Sequence, residues 1–435
     1  MRDSVSALGR LALAGLFASV PRLTISIKVH GLDYDAGAPR TFYAITHKRD
    51  FDAFAPLPAL VAHRGWRALV RDVHFAMRAD GFQMGFLSRV VRRPAWFSHA
   101  LRPLNVGPIM RAVGVHPLDS LHMRPMEIWI REALRVEGDG PLGALLAPAT
   151  LRSLADQMGV PAEALAERRI SSLLPWRYFS LLQAVVGPEI FAPAAHRRAE
   201  LRALATAKRQ LADCVDWLRT GGSLYTSPEG YLSPDGRLSP FRAGLTRVLR
   251  DAPPDTRVQP IAIVYDFMTT GRLRMWMDMA PAIEGGSAMT HHALEQALQA
   301  AWLSVARFTC TQVASALLLA RYEQGQRATT VGELEVSILA WARELVASGR
   351  QVDPSLLSEE GVHHRLASYL TYAELRGIVR HYGDSVVLAP GQPAEIVAPP
   401  GGVGYRSAPL RYAANETREM VEAAPVPMQS DTLAM

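Results

Sequence analysis

Short apolar runs separated by polar turns mark where strands are expected along the chain. Five segments have either a continuous apolar run or the period-two alternation of a strand: Leu23–His30, Phe42–Ile45, Ser223–Thr226, Ile261–Tyr265 and Leu273–Met279. The last two flank Gly271, which predicts a hairpin-like turn between them.

Helical spacing of apolar residues dominates the remaining sequence. A leucine- and alanine-rich stretch predicts a helical insertion at about residues 125–205, and a helix is expected from Arg198 to Leu218. Residues 291–422 predict a helical C-terminal region, which includes helices at Val331–Val346 and Gly361–Leu375.

Both ends of the chain are expected to differ from the folded body. Residues 1–22 predict an amphipathic helix, whose apolar run Leu11–Val20 is shorter than the roughly 20 residues that span a bilayer. This helix can be a membrane-surface anchor or an ordinary packed helix, and the pattern leaves both open. Residues 423–435 predict a disordered tail.

Composition adds information mainly through charge. The 435 residues have a formal net charge of +6, and lysine occurs only at positions 28, 48 and 208, so arginine supplies most of the positive charge. Arginine offers planar donors that suit phosphate. No run of basic residues is interleaved with aromatic residues in the pattern of an RNA-binding protein, so no nucleic-acid partner is expected. Cys214 and Cys310 belong to no paired motif and predict buried free thiols.

His47 follows the apolar run Phe42–Ile45 and is itself followed by Asp50 and Asp52. A carboxylate that holds one imidazole nitrogen leaves the other free to take a proton from a substrate hydroxyl. Positions five apart share no helix face, so His47 and Asp52 pair only if His47 lies in the loop and Asp52 in the first turn of the next helix. Either aspartate can instead be a plain helix N-cap.

Two later stretches place this histidine and aspartate in a family context. Three blocks occur in order: His47-x4-Asp52, Pro228-Glu229-Gly230 with Ser233 three residues beyond, and Val258–Asp266, an apolar strand that ends in Tyr-Asp. They resemble blocks of the glycerol-phosphate and lysophospholipid acyltransferase superfamily. The continuation after Ser233 is most similar to the glycerol-3-phosphate acyltransferase branch. Arg411–Asn415 faintly resembles a Tyr-Asn element in the C-terminal part of that branch.

The resemblance implies an α/β fold with a mixed sheet flanked by helices, and an acyltransferase domain at residues 23–290. It implies direct transfer of a fatty acyl chain from acyl-CoA or acyl-carrier protein to a hydroxyl of glycerol 3-phosphate or a lysophospholipid, with no cofactor and no metal. His47 would be the general base, oriented by Asp52. Glu229, Gly230 and Ser233 would shape the acceptor site.

The chain departs from the family pattern at two places where an arginine would bind the acceptor phosphate. Ser120 stands in the second block, and Tyr231-Leu232 in the third. Arg237 and Arg242 can take over this role, or the acceptor carries no phosphate there. Two alternatives to the leading function stay open: acylation of a non-phosphorylated acceptor, and a catalytically inactive lipid-binding module at a membrane surface.

Residues 82–113 mix aromatic and apolar groups with arginines, including Trp96, Phe97 and Arg102. This mixture is typical of a membrane interface, and equally of a helical hairpin whose basic side is solvated. Together with the resemblance, it predicts a peripheral protein on the cytoplasmic face of the cell membrane.

Overall fold

The computed structural model describes residues 25–35, 37–49, 52, 63, 65, 72–82, 85–90, 95–112, 114–118, 124–389, 391 and 404–423. The predicted helix at 1–22, Asp50, Ser120 and residues 424–435 of the predicted tail lie outside these ranges.

The strands of the described residues are, in chain order, β1 (Ile25–His30), β2 (Thr41–Ile45), β3 (Val73–Arg78), β4 (Val115–Leu118), β5 (Arg124–Pro125), β6 (Val185–Val186), β7 (Ser223–Thr226), β8 (Arg257–Asp266), β9 (Leu273–Met279), β10 (Arg307–Phe308), β11 (Ala328–Thr330), β12 (Gln351–Val352), β13 (Val379–Tyr382) and β14 (Ser385–Leu388). The five predicted strands correspond to β1, β2, β7, β8 and β9, which confirms them.

The α-helices are α1 (Phe86–Val90), α2 (Ala95–Leu101), α3 (Gly107–Ala112), α4 (Met126–Glu137), α5 (Leu142–Leu145), α6 (Pro148–Met158), α7 (Ala162–Ala166), α8 (Phe179–Leu182), α9 (Pro193–Arg219), α10 (Ala243–Asp251), α11 (His291–Val305), α12 (Cys310–Glu323), α13 (Val331–Ala347), α14 (Glu359–Leu375), α15 (Gly404–Ser407) and α16 (Pro409–Glu422). The helix expected at Arg198–Leu218 is confirmed and begins earlier, at Pro193, a residue that fits a first helical turn.

A mixed seven-stranded sheet has the strand order β1-β9-β8-β2-β7-β3-β4. β8, β2, β7 and β3 run parallel to one another. β9 returns antiparallel to β8, as the turn at Gly271 predicted, and β1 is parallel to β9. The carboxyl ends of β8, β2 and β7 therefore meet at one edge of the sheet, where loops of such sheets commonly bind ligands.

The central strands of the sheet are buried, and helix α11 packs against them. All five residues of β2 and nine of the ten in β8 are buried, as expected of strands with helices on both faces. Helix α11 packs against β8 and β9, and its Trp302 indole donates to the Ala44 carbonyl of β2 over 3.1 Å. The fold is thus α/β, with the mixed sheet flanked by helices.

The chain divides into two compact units. The first holds residues 1–75, 112–114 and 215–435, and the second holds 76–111 and 115–214. The second has a core of its own, which includes Trp129, Ile130, Leu142 and Phe191. The range 125–205, predicted as a helical insertion, contains α4 to α8 and the start of α9 within this unit.

The C-terminal region is helical, as predicted. The helices expected at Val331–Val346 and Gly361–Leu375 are confirmed as α13 and α14. A capping box between Thr330 and Glu333 fixes the start of α13. Helix α16 packs along α12. Both cysteines are buried and free. Among the described helices, none is long and apolar enough to cross a membrane.

Candidate active site

The loops that leave three neighbouring parallel strands bring the sequence blocks together. His47 follows β2, Glu229 follows β7, and Tyr265 lies near the end of β8. The His47 backbone N–H donates to Glu229 Oε1 over 2.8 Å, and the Ser233 N–H donates to the His47 carbonyl over 3.1 Å. Blocks about 180 residues apart in sequence are therefore joined by direct hydrogen bonds at one sheet edge.

His47 and Asp52 form the expected pair. His47 Nδ1 lies 3.3 Å from Asp52 Oδ2, and His47 is in the loop after β2 while Asp52 is in a turn. The Asp52 side chain is fully buried, whereas 18% of the His47 side chain is exposed. Since Asp52 contacts Nδ1, the second ring nitrogen, Nε2, is left for a substrate proton.

Asp52 is held in place by donors other than His47. The backbone N–H groups of Lys48 and Arg49 donate to Asp52 Oδ2 over 2.5 and 2.6 Å. The Tyr265 hydroxyl donates to Oδ1 over 2.5 Å. Burial and the Asp52 carboxylate raise the pKa of Tyr265, which keeps its hydroxyl protonated and donating. The Asp52 carboxylate is therefore held by neutral donors as well as by His47.

Glu229 is the other buried carboxyl group of the site. It is fully buried, and its Oε2 accepts the Ser239 N–H over 2.8 Å while Oε1 accepts that of His47. Burial raises the pKa of Glu229 to about 7, although Lys48 and both N–H donors favour the charged form. Glu229 thus acts as a brace that ties the His47 loop to the loop after β7.

The other two residues of the predicted acceptor block, Gly230 and Ser233, have different roles in the loop after β7. Gly230 has a φ of +71°, and a Cβ there would lie 2.8 Å from Arg242 Cγ, so glycine is required for this close approach. The buried Ser233 hydroxyl donates to the Arg237 carbonyl over 2.7 Å and accepts the Gly236 N–H. It therefore closes a turn of the loop rather than facing solvent.

Arg237 and Arg242, proposed from sequence as substitutes for the missing arginines, both have exposed side chains. The Arg242 guanidinium lies 4.7 Å from the centre of the Tyr231 ring. Its backbone N–H donates to the Pro228 carbonyl, which closes the loop around Glu229 and Gly230.

The C-terminal helix α16 reaches the same loops, which sequence reasoning missed. Buried Lys48 donates from Nζ to the Gly236 carbonyl over 2.8 Å and pairs with Glu416 Oε1 at 3.3 Å. Burial alone would lower the pKa of Lys48, but Glu416 and the neighbouring acidic groups outweigh it and raise the pKa. Asn415 donates to the Asp235 carbonyl over 3.1 Å, so the faint Tyr-Asn resemblance was the available signal.

Arg49 is a second residue that the sequence did not single out. Its guanidinium carbon lies 5.0, 4.9 and 4.4 Å from the ring centres of Tyr265, Phe267 and Tyr405. It therefore occupies an aromatic box next to the carboxylate that its own backbone N–H binds. Such a box is invisible in sequence because Tyr405 comes from a helix more than 350 residues away.

No protein-family model matches the chain, and no curated protein matches it either. Within the described ranges, no group of three or more His, Cys, Asp or Glu side chains is arranged to hold a metal ion.

Proposed function

We propose that the protein is an O-acyltransferase that moves a fatty acyl chain from acyl-CoA or acyl-carrier protein to a hydroxyl of glycerol 3-phosphate or a lysophospholipid. The observation that carries the proposal is the pairing of half-buried His47 with fully buried Asp52 at the carboxyl edge of a parallel sheet segment. A histidine so held, with one nitrogen directed away from the carboxylate, suits removal of a proton from a hydroxyl.

In the proposed reaction His47 Nε2 takes the proton of the acceptor hydroxyl. The alkoxide oxygen attacks the thioester carbonyl carbon, and collapse of the tetrahedral intermediate breaks the carbon–sulfur bond. The thiolate leaves and takes up the proton held by His47. Asp52 stabilises the imidazolium while it exists, and the ester product forms without a covalent enzyme intermediate.

The arrangement of the three blocks supports an acyltransferase-like fold for the first unit. The blocks with His47, Glu229 and Tyr265 belong to the adjacent parallel strands β2, β7 and β8 or to the loops that follow them, and hydrogen bonds from Tyr265 and to Glu229 orient Asp52 and the His47 loop. His47 and Asp52 together are called the dyad below. Their pairing speaks against the inactive lipid-binding module, since lipid binding alone does not require a histidine held by a carboxylate.

Thiol release from a long-chain acyl-CoA tests the proposal. The acceptors are glycerol 3-phosphate, lysophosphatidate, and uncharged alcohols and amines, with acyl-carrier protein thioester as a second donor. We expect release that depends on a phosphorylated acceptor and falls by about 10²–10⁴-fold in His47→Ala. Release with uncharged acceptors alone would favour the second candidate. Silence with both donors would contradict an acyltransferase.

The second candidate, a non-phosphorylated acceptor, is favoured by one observation. Arg242 packs on Tyr231, and Arg237 is exposed beyond a turn whose serine is used internally. Neither arginine therefore reproduces the buried phosphate contact that the missing family arginines would supply.

The proposal also places the protein on the cytoplasmic face of the cell membrane. Residues 81–118 contain five arginines and no aspartate or glutamate. Within this stretch the second unit exposes Trp96, Phe97, Leu104 and Ile109. Exposed apolar side chains in an arginine-containing stretch without aspartate or glutamate match a surface of anionic lipid.

Sedimentation with vesicles of phosphatidylcholine, with and without phosphatidylglycerol, tests this placement. The double variant Trp96→Ser, Phe97→Ser should bind the anionic vesicles about tenfold more weakly, because two aromatic side chains no longer enter the interface. The matched control is Val336→Ser, Leu375→Ser, in which two strongly exposed apolar side chains of the C-terminal region are removed. Equal loss in both variants would overturn the assignment of the surface.

A further inference from the structure

Five polar residues form a closed series of contacts that begins and ends at the Asp52 carboxylate. The Lys48 backbone N–H donates to Asp52 Oδ2 over 2.5 Å, and Lys48 Nζ lies 3.3 Å from Glu416 Oε1. Gln312 Nε2 donates to Glu416 Oε2 over 2.8 Å and to the Tyr265 carbonyl over 3.3 Å. The Tyr265 hydroxyl then donates to Asp52 Oδ1 over 2.5 Å. These five residues are called the Asp52 network.

The members of the Asp52 network come from distant parts of the chain and are all buried. Lys48 and Asp52 follow β2, Tyr265 belongs to β8, Gln312 to α12 and Glu416 to α16. Each exposes at most 6% of its surface. Buried polar groups are costly unless each has a partner, so every contact of the network constrains the next one. Both oxygens of the Asp52 carboxylate are therefore connected to the C-terminal helix, by two separate routes.

Glu416 is the residue through which α16 enters the network. Its two carboxylate oxygens contact Lys48 and Gln312. The Thr309 hydroxyl donates to Gln312 Oε1, which turns the amide NH2 of Gln312 toward Glu416. The Thr417 hydroxyl of α16 donates to the Gln312 backbone carbonyl over 2.9 Å. Glu416 is therefore held in place from α12 and presents its other oxygen to Lys48.

Helix α16 also holds the loop after β7. The Asn415 amide donates to the Asp235 carbonyl over 3.1 Å, and Glu419 Oε2 accepts the Leu238 N–H over 2.8 Å. Positions 415, 416 and 419 lie within about 100° of one another around a helix, so they share one side of α16. This side of the helix therefore holds both the loop with His47 and the loop with the predicted acceptor block.

We propose that Glu416 and Gln312 are positioning residues of the transferase and that α16 is part of its active site. They act on His47 through Asp52 and do not touch the substrate. Contacts on both oxygens stop the Asp52 carboxylate from rotating, and a small displacement of such a group costs rate. The catalytic part of this proposal rests on the proposed function, whereas the effect of the network on the His47–Asp52 pair does not.

Nitrogen NMR of the full chain with labelled histidine tests the network without any turnover. The His47 signals are assigned by their loss in His47→Gln. In Glu416→Met these signals should shift or broaden, because the Asp52 carboxylate is no longer held from both sides. The matched control is Glu323→Gln, which removes ion pairs between the same two helices outside the network and should leave the His47 signals unchanged. Unchanged signals in Glu416→Met, or equal changes in both variants, would overturn the proposal.

Steady-state kinetics with acyl-CoA and glycerol 3-phosphate tests the role in the proposed reaction. We expect kcat to fall about tenfold in Glu416→Met and in Gln312→Met, while both KM values stay within about twofold, because the groups that contact substrate are unchanged. Glu323→Gln should keep kcat within about twofold of the parent. A rise in KM at unchanged kcat would contradict a positioning role.

A double variant separates positioning from support of the fold. Glu416→Met leaves Lys48 buried without its ion-pair partner, so the urea midpoint of unfolding should fall. Lys48→Met, Glu416→Met replaces the pair by apolar side chains of similar size and should recover most of that midpoint. We expect kcat to stay low in the double variant, since the network remains open. Recovery of kcat together with the midpoint would show that Glu416 supports only the fold, and would overturn the proposal.

The positioning role and the proposed function can fail separately. If Glu416→Met does not fold, Gln312→Met and the double variant provide the same NMR and kinetic tests, since neither leaves Lys48 without its partner. His47 signals that depend on the network, in a chain that transfers no acyl group, would contradict the proposed function and leave the network standing. Acyl transfer with the same kcat in the parent and in the network variants would contradict the positioning role alone.

Discussion

Successive residues at the end of β8 serve two different carboxylate sites. Tyr265 and Asp266 point to opposite faces of the sheet, because side chains alternate along a strand. On one side the Tyr265 hydroxyl holds Asp52 of the dyad. On the other side, the Arg274 guanidinium lies 3.5 Å from the Asp266 carboxylate and 2.6 Å from the Asp353 carboxylate. These three residues are called the buried ionic cluster.

The two sites treat buried charge differently. Burial raises the pKa of Asp266, while hydrogen bonds from Thr311 and the charge of Arg274 work against that rise. The charges of Asp266 and Arg274 therefore compensate each other in the protein interior. Asp52 is as deeply buried but has no arginine or lysine ion pair among the described residues, and its ionisable partner is a histidine that is partly exposed. A buried carboxylate is thus enclosed where an arginine pairs with it, and it contacts a partly exposed group where its partner is a histidine.

The largest expected effect comes from removing the cation of the buried ionic cluster. Arg274→Met leaves Asp266 and Asp353 buried without their cation, and we expect the free energy of unfolding to fall by about 3–5 kcal/mol. Urea denaturation measures this change. Arg257→Met, which removes a more exposed pair with Glu284, should cost at most about 1 kcal/mol. Similar losses in the two variants would show that the cluster is not the structural site described above.

A smaller effect is expected from pH at Glu229. Its folded-state pKa of about 7 lies above the ordinary value of 4.5, so the folded chain keeps a proton that the unfolded chain has released. Stability from this group is complete below pH 4.5 and is lost as the pH rises to about 7. Glu229→Gln has no such dependence and should gain about 3 kcal/mol relative to the parent across that range.

Denaturant titrations at several pH values check this expectation for Glu229. The exposed Glu284 provides the control, since Glu284→Gln should shift all curves equally. A constant difference between Glu229→Gln and the parent from pH 4.5 to 7 would contradict the raised pKa.

Much of the sheet could be predicted because its signals are local. Apolar runs identified β2, β7, β8 and β9, and the polar residues directly after β2 and β7 identified His47 and Glu229. Because parallel strands end at the same edge, the order of the blocks was enough to expect these side chains together. The hydrogen bonds that Glu229 accepts from two backbone N–H groups were not predicted, since they depend on loop geometry rather than on residue type.

The contribution of the C-terminal segment could not be predicted for a different reason. Lys48 and Glu416 are separated by more than 350 residues, and nothing local indicates that one charge neutralises the other. In the sequence, nothing distinguishes Arg49 from an ordinary solvated arginine. Only the packing of Tyr405 shows that its guanidinium lies against aromatic rings. Contacts of this kind are decided by tertiary packing, which a pattern of single residues does not encode.

The smallest expected effect distinguishes support of the carboxylate from support of the backbone around it. Tyr265 and Tyr225 are both buried, and their hydroxyls donate to Asp52 Oδ1 over 2.5 Å and to the Asp52 carbonyl over 3.1 Å. Each Phe substitution removes one hydrogen bond and should lower stability by about 1–2 kcal/mol. Only Tyr265→Phe loosens the carboxylate that orients His47, so we expect kcat to fall about tenfold there and to stay within about twofold in Tyr225→Phe. Equal kcat losses in urea-stable forms of both variants would mean that the tyrosines merely pack around Asp52, and that the dyad owes its geometry to the backbone N–H groups of Lys48 and Arg49 alone.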